Sequence, residues 1–97
     1  SIMNLEQALS EIGARLKRRR LNMDRSQKEI AIRAGIGINS VARLEDGKGA
    51  TLANFIRVLN ALEALDSLES FLPAPAISPI QLAKLQGNLR QKASRKS

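Results

Sequence analysis

The sequence predicts an all-α fold: five short helices over residues 5–72, then residues 73–97 as a Pro-rich linker, a short helix at 79–86 and a basic tail. Three observations carry this expectation. Apolar residues recur at helical spacing, and no alternating run of the kind a half-buried strand needs is present. Cap-type residues open runs at Ser26, Thr51 and Ser78, and glycines close three at Gly35, Gly47 and Gly87. The 43% apolar content contains no Trp or Tyr and only Phe55 and Phe71 as aromatics, so the core is built from Leu, Ile, Val and Ala.

In the first helix, residues 5–20, Leu5, Leu9, Ile12 and Leu16 share one face, with Glu6 and Glu11 early and Arg15, Lys17, Arg18 and Arg19 late, as the helix dipole favours. "LNMD" breaks the pattern, and Met23 is expected to fold back onto the core. Ser26 followed three residues later by Glu29 is a capping box. Ile30, Ala31 and Ala34 then form the inner face of a short second helix that stops at Gly35. Ile36 plugs the turn. A third helix begins near Gly37 or Ile38, buries Val41 and Leu44, and ends in Glu45-Asp46-Gly47.

Thr51 caps a fourth helix whose inner face is expected to hold Leu52, Phe55, Ile56, Leu59 and Leu62. A split near Leu65-Asp66, with Asp66 or Ser67 as cap, gives a fifth helix carrying Leu68, Phe71 and Leu72; the alternative is one helix from 52 to 72. Leu65, Leu68, Phe71 and Leu72 serve either the core or a dimer seam. "PAPAI" is a stiff linker. Ser78-Pro79 opens the last helix, with Ile80, Leu82, Ala83 and Leu85, and Gly87 ends it. Residues 88–97 are too polar to fold alone.

The net charge is +7 and uneven. Residues 1–48 hold ten basic against six acidic side chains, residues 49–89 two against three, and residues 90–97 four against none. A basic front and a basic tail point to a polyanion partner, with a solvated surface as the competing reading. Cys and His are both absent. Disulfides, thiolate chemistry, a zinc site and a Ser/His-type hydrolase are therefore not expected, and the lack of Cys fits a reducing cytoplasm. With no acid/base pair or nucleophile constellation, neither an enzyme nor a cofactor is expected. No apolar run approaches a membrane span.

A capped short helix, a turn holding Gly35 and an apolar plug, and a second short helix form a helix-turn-helix at about 26–45. The second helix of such a motif enters the DNA major groove, where an outward Ile38 can meet thymine methyl groups.

Ser26-Gln27, Ile30-Ala31, Ala34-Gly35-Ile36, Ser40-Val41, Arg43-Leu44-Glu45 and Gly47-Lys48 together resemble the lambda-repressor-like helix-turn-helix family, over about residues 9–72. The resemblance implies a five-helix DNA-binding domain with base contacts from Ile38, Asn39, Ala42 and Arg43. It implies phosphate contacts from Gln27 and Ser40, and an ion pair between Arg20 and Glu45. Lys48, Arg18 and Arg19 are further phosphate candidates, the arginines lying in the basic run "KRRR". Gly37, Ile38 and Ala42 stand where the family often has polar readers, so direct readout rests mainly on Asn39 and Arg43, with DNA shape or a second DNA-contacting element supplying the rest. The segment "TLANFIRVLNALEALDSLESFLP" with "SPIQLAKLQG" and "RQKASRKS" resembles the branch of HipB-type antitoxins encoded beside HipA-like kinase toxins. The expected function is a homodimeric autorepressor on a palindromic operator. The rival is a protein-interaction module that neutralises a toxin, with DNA binding secondary.

Overall fold

The computed structural model of the chain describes residues 3–72, 75, 78–81 and 83–87. The linker at 73–77, apart from residue 75, and the basic tail at 88–97 lie outside the described residues, as does Leu82. Among the described residues all regular structure is helical, and no strand occurs. The helices are α1 (Leu5–Asn22), α2 (Gln27–Ala34), α3 (Ile38–Glu45), α4 (Leu52–Ala61) and, after a 3-10 turn at Leu65–Ser67, α5 (Leu68–Phe71). Residues 79–81 and 83–87 are also helical. Gly87 is itself helical and so does not stop this helix, while Ser78 caps it: its Oγ accepts from the Gln81 N–H at 3.2 Å.

α1 begins one residue after Asn4, a cap that the periodicity did not reveal. The Asn4 and Gln7 side chains accept from each other's backbone N–H at 2.8 and 3.1 Å. The helix continues two residues past the expected end. It closes only when Asp24 takes a left-handed conformation (φ 56°), letting the Asp24 and Arg25 N–H groups donate to the carbonyls of Leu21 and Arg20. α2 starts at the Ser26–Glu29 capping box and ends at Gly35, with φ 70°. A residue with a Cβ is strained in that left-handed conformation, and glycine is not.

Ile30, Val41, Val58 and Leu62 form the fully buried centre, joined by Leu16, Ala31, Leu44, Leu59, Ala61 and Ala64. Met23, Ile36, Phe55 and Leu68 pack against it half-buried. α2 packs on both α3 and α4, and α1 lies on α3. α1 and α3 approach closely at Gly13, where a Cβ would stand 2.5 Å from the carbonyl oxygens of Leu44 and Glu45.

Leu5, Leu52 and Ile56, expected inside, are exposed, Leu52 at 72%. Leu65, Phe71 and Leu72, expected in the core or in a dimer seam, are exposed too, Leu72 at 77%, and so are not core. The inner stripe of α4 runs through Phe55, Val58, Leu59 and Leu62, which leaves Ile56 beyond its edge and Leu52 past the helices that would cover it. Val58, 1% exposed, takes the place assigned to Ile56. The single 52–72 helix does not form. α4 ends at Ala61, and Glu63 turns left-handed (φ 56°) to close it. Ser67 precedes α5, but no side chain caps that helix.

Candidate nucleic-acid interface

Two short helices and the end of a longer one converge on Glu45. Its side chain is only 3% exposed and faces that of Arg20, 8% exposed. The guanidinium binds the carboxylate bidentately: Nε donates to Oε2 at 2.7 Å and Nη2 to Oε1 at 2.9 Å. Fork-to-fork geometry makes such a pair strong, and burial makes either partner costly if left alone. The bond to Glu45 raises the Arg20 pKa despite desolvation, so the guanidinium stays charged. Arg20 also donates through Nη1 to the Arg25 carbonyl at 2.8 Å, pinning the α1–α2 turn just ahead of Ser26. Gln27, the first residue of α2, donates from Nε2 to Glu45 Oε1 at 3.0 Å. One carboxylate thus joins the end of α1, the start of α2 and the end of α3. No buried side-chain nitrogen or oxygen among the described residues lacks a partner.

α3 presents two opposite faces. Val41 and Leu44 are buried. On the other side Ile38 (46% exposed), Asn39 and Arg43 reach solvent, with Ala42 half-buried between them. Positions three and four residues apart lie side by side on a helix, so the pairs 38/42, 39/42 and 39/43 join these four into one stripe. Asn39 and Arg43 make no side-chain hydrogen bond or ion pair among the described residues, which leaves both polar groups free for an outside partner. α3 has no side-chain cap: Gly37 sits at its N-cap, so the first N–H groups are open to solvent. Ser40 is half-buried one turn in. Lys48 is exposed, and its backbone N–H closes α3 by donating to the Arg43 carbonyl at 2.9 Å.

The two arginines of the basic run diverge. Arg18 is exposed and has no ion pair among the described residues. Arg19 reaches the end of α4, where Nε donates to the Leu62 carbonyl at 2.9 Å and Nη2 to the Glu63 carbonyl at 2.8 Å. Its charge sits on orphan carbonyls at a helix C-terminus, a favourable place for a cation. That separates Arg19 from the group gathered at Glu45. Sequence reading missed both this role and Gly13, because each depends on a distant segment.

No group of three or more potential metal ligands occurs among the described residues, and no described helix is long and apolar enough to cross a membrane. Comparison with curated proteins finds no match. A family model of the helix-turn-helix domain, a kind of domain that suggests a DNA-binding regulator, matches residues 11–71. The matched span holds most of α1, the whole α2–turn–α3 unit and the closing helices, and covers more than half of the sequence: the chain belongs to the helix-turn-helix domain family.

Proposed function

We propose that the chain is a sequence-specific DNA-binding transcriptional regulator, acting in the cytoplasm as a homodimer on a palindromic operator and repressing its own operon. The observation that carries this reading is the outer stripe of α3, with Asn39 and Arg43 exposed and unengaged beside Ile38 and Ala42. Such a helix offers an arginine fork for guanine, an amide for adenine and methyl groups for thymine. In this reading Gln27, Ser40, Lys48 and Arg18 meet phosphates and fix the register, while Arg20 and Glu45 hold the scaffold. Arg19 ranks behind Arg18 as a phosphate contact because two of its five N–H donors hold it at the end of α4. The basic tail would add contacts that strengthen binding without reading sequence.

In-vitro selection from random duplexes tests the reading. The wild type should enrich a two-fold symmetric site. Arg43→Ala should lose about 1–3 kcal/mol on that site and relax preference at one base position per half-site. Unchanged affinity and preference in the variant would remove Arg43 from the readers.

One observation favours the interaction-module reading as well. Leu9, Ile12, Leu44, Leu52, Phe55 and Phe71 line an open cleft of about 280 Å³ that no charged residue enters. A dimer partner or a HipA-like kinase toxin, as antitoxin of the same operon, would cover such a face. Co-expression with the neighbouring gene product, followed by Leu52→Lys in this chain, separates the two occupants.

A further inference from the structure

We propose that Glu45 is a positioning residue for the DNA backbone: it holds the Gln27 carboxamide in one orientation, so that a second amide N–H is presented to a phosphate. This rests on the DNA-binding reading and adds a role to a side chain otherwise read as structural.

The chemistry of the acceptor sets the orientation. A carboxylate only accepts hydrogen bonds, so Gln27 must turn its NH2 group, and not its carbonyl, toward Glu45. Nε2 donates one N–H to Oε1 at 3.0 Å, which leaves the other N–H for an outside acceptor. Gln27 follows the Ser26 cap directly, so this amide stands at the start of α2, where helix N–H groups favour an anion. A free glutamine would rotate and turn its oxygen toward the phosphate in many of its conformers. Glu45 removes that freedom before binding, which is how preorganisation strengthens a contact. Arg20 completes the arrangement. Its bidentate bond neutralises the carboxylate, so the group meets DNA without a net negative charge.

The test turns on a sign. Glu45→Gln is nearly isosteric and removes a negative charge from a DNA-binding protein. Long-range electrostatics alone would therefore make it bind DNA more tightly. A positioning role makes it bind more weakly, because the NH2 that replaces one carboxylate oxygen must face donors, either Arg20 Nε or Arg20 Nη2 with the Gln27 amide. Affinities are measured by fluorescence anisotropy on the duplex recovered by selection, at a temperature where circular dichroism shows every variant folded. Gln27→Ala and Glu45→Gln should each weaken binding about tenfold, and the double variant should be no weaker than either alone. Base preference should not change, since phosphate contacts carry no sequence information. If Glu45→Gln does not fold, Glu45→Asp replaces it: the charge stays for Arg20, and the shorter arm withdraws from Gln27. Wild-type or tighter binding by the position-45 variant, or losses that multiply in the double variant, would overturn the proposal. A wild type that enriches no duplex would overturn the DNA-binding reading beneath it.

Discussion

The turn that separates α2 from α3 and the turn that ends α4 share one backbone geometry and reach it by different means. After α2, the N–H groups of Gly35 and Ile36 donate to the carbonyls of Ile32 and Ala31 at 3.2 and 3.1 Å. After α4, the N–H groups of Glu63 and Ala64 donate to the carbonyls of Asn60 and Leu59 at 3.0 and 2.8 Å. Both are Schellman closures with a left-handed residue in the middle. The first uses glycine, which takes that conformation freely. The second uses glutamate, which does not. Its strain is borne by burial of Leu62 and Ala64 on either side and by Arg19, whose guanidinium satisfies the Leu62 and Glu63 carbonyls. The α1–α2 turn follows the second pattern, with Asp24 left-handed and Arg20 holding the Arg25 carbonyl. Two consecutive arginines on α1 thus brace two turns that lack glycine. A turn written into local residues can be read from them, and one held by a distant side chain cannot.

The largest break in this comparison is expected at Arg20. Arg20→Ala unties a braced turn and leaves Glu45 buried without its partner, at a cost of about 3–5 kcal/mol in urea denaturation. Glu45→Ala added to it should recover part of the loss, and strictly additive losses would show that the two side chains do not couple. A smaller break lies where α1 crosses the end of α3. Gly13→Ala improves helix propensity by roughly 1 kcal/mol yet drives a methyl group into two backbone carbonyls. Overpacking should dominate, for a net loss of about 1–3 kcal/mol. A stabilised variant would mean that the helices can separate without penalty.

The two turns themselves are separated by opposite substitutions. Gly35→Ala meets no neighbouring atom but is strained at φ 70°, and should lose about 1–2 kcal/mol. Glu63→Gly relieves the same strain and should gain up to about 1 kcal/mol in thermal melts. Equal signs would show that position 63 is held by more than the brace described here.

The smallest effect concerns the cap that starts α2. The Ser26 backbone N–H, and after it Arg25, hold the Glu29 carboxyl below its ordinary pKa. A carboxyl lowered in the folded state stabilises fully above its unfolded pKa, and that contribution fades as pH falls through the lowered value. Wild-type stability should therefore drop toward that of Glu29→Gln as pH falls through and below the ordinary carboxylate range, a loss that the variant does not share. Parallel pH profiles for the two proteins would show that Glu29 contributes nothing by its charge.

Much of this molecule was legible in its residues, because the relevant physics is local. Ser26 with Glu29, Gly35 with its apolar plug at Ile36, and Thr51 each declare a helix end within four residues of chain. Val41 and Leu44 mark the inner face of α3, and the outer stripe follows from them by helix geometry. The family match over residues 11–71 agrees with the helix-turn-helix part of that reading. What tertiary structure alone decided concerns segments far apart in sequence: which apolar residues of α4 and α5 are covered, where the 52–72 run breaks, why α1 carries a glycine, and that Arg19 serves α4 while Gln27 leans on Glu45. Leu52 and Val58 differ little as residue types and greatly in burial. Hydrophobic periodicity states that a face exists, but neighbouring helices determine how much of it loses contact with water.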